Sequence, residues 1–116
     1  MSIEKTVKDE NIILTEDGNP VAVLSGKLNG DTIELSLEGL LRADVETYLH
    51  NELKFYLASD IRKLIVNCAE ITGITPGCFM ELLSLKSGLI CRNGEIEFEN
   101  KSAALLEFEK RTGKKL

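Results

Sequence analysis

The sequence predicts an α/β domain built on a mixed β-sheet of four to five strands, with about three helices packed mainly on one face. The spacing of apolar residues changes along the chain, from alternation near the N-terminus to repeats of three and four residues further on. A continuous apolar run at residues 64–66 is typical of a strand covered on both faces. Because parallel strands are joined by right-handed crossovers, the intervening helices should share one face of the sheet.

The first strands are separated by turn residues. A short apolar run at residues 11–14 precedes Asp17-Gly18, and a second run covers residues 21–28. Asn29-Gly30 then gives a strong hairpin signal, because both residues tolerate a positive φ. Residues 32–38 alternate apolar and polar side chains, which predicts a strand with one buried face.

Helices and strands alternate after this point. Residues 44–59 carry one apolar stripe, with Asp44 as the expected N-cap of a helix. A strand is predicted within residues 61–68. The next helix should begin at Thr75-Pro76, because a threonine hydroxyl can cap a helix and proline is favoured at the first helical position.

The last strand and the last helix are indicated by shorter sequence patterns. Residues 92–94 should end the second helix, and residues 95–99 alternate glutamates with apolar residues, as in a strand with a solvated face. Asn100 is the expected N-cap of a final helix, and Gly113 lies where a glycine would end it. The order predicted from residue 11 onwards is β-β-β-α-β-α-β-α.

The amino-acid composition indicates a single globular domain. The 116 residues are 43% hydrophobic and 28% charged, which is typical of one globular domain. We expect residues 1–10, which are mostly polar, to form a flexible arm and residues 11–116 to form a single domain. With no long apolar segment and no apolar N-terminal stretch, we expect a cytoplasmic protein that does not insert into membranes.

The titratable residues argue against several functions. A net charge of −5 disfavours nucleic-acid binding, and the basic C-terminal residues are interpreted as cations at a helix end. Three cysteines without a CxxC pair support neither a zinc site nor a thioredoxin motif, and they indicate a reducing compartment. Neither a catalytic constellation around the single histidine, His50, nor a glycine-rich phosphate loop is present. We therefore expect no enzyme activity, metal or cofactor.

Several segments in order resemble a STAS domain, the fold of anti-sigma-factor antagonists. The resemblance runs from Leu35 to the C-terminus. It consists of a strand-to-helix turn, a buried strand, the junction into the second helix and a final helix with a threonine-glycine end. In this sequence these segments are residues 35–41, 63–67, 71–76 and 106–113.

The resemblance implies a protein-interaction module that binds a regulatory partner, such as an anti-sigma factor or another kinase-fold protein, and so influences transcription. In antagonists of this family a serine at the start of the second helix is phosphorylated, and that serine aligns with Pro76. Since proline has no hydroxyl, the usual switch is absent. Thr75 carries a hydroxyl one residue away, which makes it either a structural cap or an alternative phosphorylation site.

The resemblance places the partner-binding surface at Thr75, Pro76, Gly77 and Cys78. Cys78 would lie in the first turn of the second helix, where the helix dipole lowers the pKa of a thiol. It is therefore either a redox-sensing thiol or a small buried apolar residue. The alternatives to an antagonist are a degenerate STAS scaffold or subunit, or a redox or small-ligand sensor that uses Cys78.

Overall fold

The computed structural model describes residues 3–9 and 11–116 of the chain. It contains six strands, three α-helices and a short 3₁₀ turn. In chain order these are β1 (Glu4–Lys8), β2 (Asn11–Glu16), β3 (Asn19–Asn29), β4 (Thr32–Leu41), the 3₁₀ turn Ala43–Val45, α1 (Glu46–Ala58), β5 (Lys63–Ile74), α2 (Pro76–Cys91), β6 (Glu95–Glu99) and α3 (Ala103–Thr112).

The strands form one mixed sheet in the spatial order β1-β2-β3-β4-β5-β6. Strands β1 to β4 are antiparallel neighbours, whereas β4, β5 and β6 are parallel. The α/β class and the mixed sheet are confirmed, but the predicted number of strands, four to five, is wrong. The sixth strand is β1, in which every residue is exposed, so it lacks the alternation of apolar residues that reveals a half-buried strand.

Strand β1 lies within the segment predicted to be a flexible arm, residues 1–10. It pairs along its whole length with β2, from Glu4 opposite Thr15 to Lys8 opposite Asn11. The boundary between arm and domain at residue 11 stays a prediction, as does the mobility of this segment.

The hydrophobic core lies between the sheet and the helices. Strand β4 directs Ile33, Leu35 and Leu37 into it, while Glu34 and Glu38 point away. Helices α2 and α3 meet in the same core, where the rings of Phe79 and Phe108 have centroids 4.7 Å apart. The opposite face of the sheet carries mostly polar side chains. No helix in residues 3–9 and 11–116 is long and apolar enough to cross a bilayer.

Two predicted helix caps are wrong. Asp44 lies in the 3₁₀ turn, where its carboxylate accepts hydrogen bonds from Arg42, and α1 begins at Glu46. Asn100 adopts a positive φ of 54°, and α3 is capped instead by Ser102, whose hydroxyl accepts a hydrogen bond from the Leu105 amide at 3.2 Å. In both cases a polar side chain near a helix start has a different local role.

Candidate functional site

The candidate site lies where α2 begins, at the carboxyl ends of the parallel strands β4 and β5. Strand β5 ends at Ile74, and the next residue, Thr75, donates its backbone N–H to the Leu41 carbonyl at 2.9 Å. This hydrogen bond ties the start of α2 to the end of β4. In open α/β sheets, ligands commonly bind at the carboxyl ends of the strands.

The predicted start of α2 is confirmed. Thr75 is the N-cap, with an extended backbone at φ −86° and ψ 159°, and its hydroxyl oxygen accepts a hydrogen bond from the Cys78 amide at 3.4 Å. Pro76 occupies the first helical position. A backbone N–H at this position makes no hydrogen bond within the helix, so the lack of one in proline costs nothing. The Thr75 side chain therefore already has a structural role as a cap.

Two of the four predicted residues form the outer part of this turn. Pro76 is exposed, and Gly77 is half-buried beside the Glu46 side chain at the start of α1. A β-carbon at Gly77 would overlap the Glu46 carboxylate, so a larger side chain here requires Glu46 to move. The small residue therefore lets α1 and α2 approach each other closely at the site.

Cys78, the fourth predicted residue, is completely buried. Its thiol donates a hydrogen bond to the Arg42 carbonyl, with sulfur and oxygen 3.4 Å apart. Burial raises the pKa of Cys78, and nearby acidic groups, Glu46 first among them, also raise it, whereas the hydrogen bond with Thr75 lowers it. The net rise disfavours the thiolate, which is the reactive form. The thiol therefore supports the surface from inside and does not form part of it.

Sequence reasoning missed an exposed apolar residue beside the turn. Met80 lies four residues after Pro76 on α2, so the two share one side of the helix, and 45% of its surface is exposed. Its sulfur is 3.7 Å from the Lys114 ammonium. Thr75, Pro76, Gly77 and Met80 make up the candidate site, and we refer to this candidate below as the docking surface. The spacing of four residues from Pro76 was the available signal for Met80.

Charged pairs lie on the elements next to the docking surface. Arg42 donates hydrogen bonds to Asp44 at 2.6 Å and to Glu16 at 2.5 Å. Its guanidinium holds the pKa of Asp44 below the usual range. On the α1–α2 side, His50 Nδ1 lies 2.9 Å from a Glu81 carboxylate oxygen. These interactions link strands and helices around the site, and no sequence motif indicates them.

The described residues do not form a metal site. Within residues 3–9 and 11–116, no group of three or more histidine, cysteine, aspartate or glutamate side chains is arranged to hold an ion. His50, the only histidine, has Glu81 as its carboxylate partner. Chemically, the docking surface consists of a proline ring, a thioether, a capping hydroxyl and backbone, which suits contact with another surface.

Comparison with solved structures identifies the fold. The anti-sigma factor antagonist SpoIIAA in its unphosphorylated form matches 78% of this chain and 80% of its own, with a TM-score of 0.68 and 13% identity. The chain has a STAS-type fold. An anti-sigma factor antagonist from Mycobacterium paratuberculosis matches 79% of this chain and 78% of its own, with a TM-score of 0.67 and 12% identity.

A third solved structure, the Bacillus cell fate determinant SpoIIAA in the phosphorylated form, covers 78% of this chain and 83% of its own. It has a TM-score of 0.66 and 13% identity. No family model matches the sequence, and no curated protein does. The STAS resemblance of the sequence is therefore supported by a shared fold at low sequence identity.

Proposed function

We propose that this STAS-type domain is a non-enzymatic interaction module that binds a regulatory protein through the docking surface. The expected partner is an anti-sigma factor or another kinase-fold protein, and the binding would influence transcription. The observation that carries the proposal is an exposed Pro76 at the start of α2, in a fold shared with anti-sigma factor antagonists.

The chemistry of the docking surface favours binding that does not depend on phosphorylation. Pro76 has no hydroxyl, and the Thr75 hydroxyl caps α2. A phosphate on Thr75 would replace that cap and add a charge of about −1.5 to −2 beside the apolar Pro76 and Met80. We therefore propose that the partner binds the unmodified surface constitutively.

The surroundings of Cys78 disfavour the alternative of a redox sensor. A sensing cysteine needs solvent access and a low pKa. Cys78 is completely buried and its pKa is raised. Cys91 is the exposed cysteine among the three, but it lies at the far end of α2, away from the docking surface.

Two matched substitutions on α2 test the docking surface. Met80 and Ile90 are both apolar and about half exposed, at 45% and 55%, but only Met80 lies beside Pro76. Binding to each purified anti-sigma factor from the source genome would be measured by titration calorimetry. We expect Met80→Glu to weaken binding by about tenfold or more and Ile90→Glu to change it less than about twofold. Equal effects of the two substitutions would refute the assignment of the surface.

A second experiment tests the absence of a phosphorylation switch. The chain would be incubated with ATP and the kinase-fold partner, and its intact mass measured. We expect the wild-type mass to stay constant and Pro76→Ser, which restores a hydroxyl at the switch position, to gain about 80 Da, the mass of one phosphate group. A gain in the wild-type chain that maps to Thr75 would show that this residue has replaced the serine.

A further inference from the structure

The sheet has two edges within the described residues, β1 and β6, and they differ in charge pattern. Strand β1 reads Glu-Lys-Thr-Val-Lys, and all five residues are exposed. Strand β6 reads Glu-Ile-Glu-Phe-Glu, with its three glutamates exposed. An edge strand presents unpaired backbone groups, so its side chains decide whether another strand can add to it.

Strand β1 is complementary to a second copy of itself. In an antiparallel pair with a two-fold axis at Thr6, Glu4 lies opposite Lys8 of the second copy, and Lys8 lies opposite its Glu4. Because side chains alternate along a strand, Glu4, Thr6 and Lys8 share one face of the sheet. The two Glu–Lys pairs would therefore flank the Thr6–Thr6 contact on that face, where directly opposite charges attract.

Two neighbouring registers, with the two-fold axis at Lys5 or at Val7, also bring the outward-facing backbone N–H and C=O groups of the two strands opposite each other. Both are less favourable. An axis at Lys5 places two lysines directly opposite each other. An axis at Val7 removes Glu4 from the pair, so that both Glu–Lys contacts are lost. Only the register centred on Thr6 pairs all five residues and matches every glutamate of β1 with a lysine.

Glu4 and Lys8 are exposed side chains of opposite charge on β1. The ion pairs found among residues 3–9 and 11–116 include neither of them. They are four residues apart on one strand, at about 3.3 Å per residue, so their α-carbons are separated by about 13 Å. Each is therefore available to a partner strand and out of reach of the other.

The opposite edge lacks this complementarity. Antiparallel pairing of β6 with its own copy about Glu97 would place Glu95 opposite Glu99 and Glu97 opposite itself. Like charges directly opposite each other in a sheet are destabilising. The charge pattern therefore disfavours self-association through β6 and favours it through β1.

We propose that β1 is a homodimerisation strand, which joins two copies of this chain into one continuous sheet through an antiparallel pair centred on Thr6. A two-fold contact of this kind closes after two copies. Since a five-residue strand pair is smaller than a standard interface, the dimer should be weak, with a dissociation constant on the order of 100 µM, and weaker at high salt. This inference does not depend on the proposed function.

Charge-reversal variants test the register. Sedimentation equilibrium would be measured on the whole chain from about 10 µM to 1 mM at low ionic strength, which preserves interactions between exposed charges. Glu4→Lys and Lys8→Glu should each weaken the dimer by about tenfold, because each places two like-charge pairs in the contact. The double variant should restore it. Glu95→Lys, on the other edge, is the control and should leave the dissociation constant unchanged.

A disulfide at the two-fold axis gives an independent measurement. With Cys91→Ser removing the exposed native thiol, Thr6→Cys places two cysteines directly opposite each other, whereas Lys5→Cys places each cysteine opposite Val7. Under mild oxidation we expect Thr6→Cys to form covalent dimers at least about ten times faster than Lys5→Cys.

Three results would overturn the proposal. The first is a wild-type chain that stays monomeric at 1 mM, a concentration about ten times the expected dissociation constant. The second is a double charge variant that fails to restore the dimer while its circular dichroism matches that of the wild type. The third is a continuing series of larger oligomers, which indicates an open contact between β1 and a different surface. Loss of partner binding through Met80→Glu would leave all three measurements unaffected, so the two proposals fail separately.

Discussion

We assign contacts with other protein chains to two surfaces, the start of α2 and the edge strand β1. The interactions that hold these two surfaces in their conformations differ. The first turn of α2 is held by a threonine cap, a buried Cys78 and the core residue Phe79. Strand β1 has one neighbouring strand, and its residues Glu4–Lys8 are all exposed. The first surface is fixed by the core behind it. The second has its conformation fixed mainly by backbone pairing, so its specificity must come from its own sequence of charges.

The largest expected difference between the regions is in thiol reactivity. In a Thr6→Cys, Cys91→Ser variant at low micromolar concentration, the new cysteine in β1 should react with Ellman's reagent at the rate of a free thiol. Cys78 should react at least about a thousandfold more slowly, because its exposure requires opening of a domain stabilised by several kcal/mol. Stopped-flow absorbance, with the labelled residues identified by mass spectrometry, measures both rates. Fast labelling of Cys78 would contradict its burial.

The next largest effect is on stability, through the core behind the docking surface. Phe79 is buried against Phe108, so Phe79→Ala should lower the free energy of unfolding by about 3–5 kcal/mol. Val7→Ala in β1 should lower it by less than about 0.5 kcal/mol, because that side chain is exposed. Urea denaturation gives both values, with Phe55→Ala as a control of equal size at an exposed position. Similar losses for Phe79 and Phe55 would mean that α2 does not depend on this core.

The smallest expected effect compares a threonine from each region. Thr75→Ala removes the cap of α2 and should cost about 1 kcal/mol of unfolding free energy, whereas Thr75→Ser should keep most of it. Thr6→Ala, at an exposed position of β1, should change the value by less than about 0.5 kcal/mol. If Thr75→Ala proved neutral in the same denaturation assay, the hydroxyl would be free for another role, including phosphorylation.

The parts of the fold that were predictable had strong local signals. The alternation in residues 32–38 and the apolar run at residues 64–66 correspond to β4 and β5. The start of α2 was predictable because Thr75 and Pro76 have independent conformational preferences that agree. Gly113, at a left-handed φ of 73°, ends α3 as expected.

The parts that were missed depend on tertiary contacts. Strand β1 is defined by pairing with β2 and has no apolar alternation of its own. Asp44 resembled a helix cap, but its carboxylate accepts hydrogen bonds from Arg42 at the end of β4. Met80 became part of the candidate site because the structure shows it to be exposed on the same side of α2 as Pro76, and the sequence does not reveal this exposure.

The proline ring at the start of α2 has a kinetic consequence. Because it fixes φ and the turn is already capped by Thr75, the docking surface has little conformational freedom to lose when another molecule arrives. Complex formation at Pro76 should then proceed without a preceding rearrangement of this chain. Its rate would be set by diffusion and by the electrostatic interaction between the arriving molecule and a protein of net charge −5.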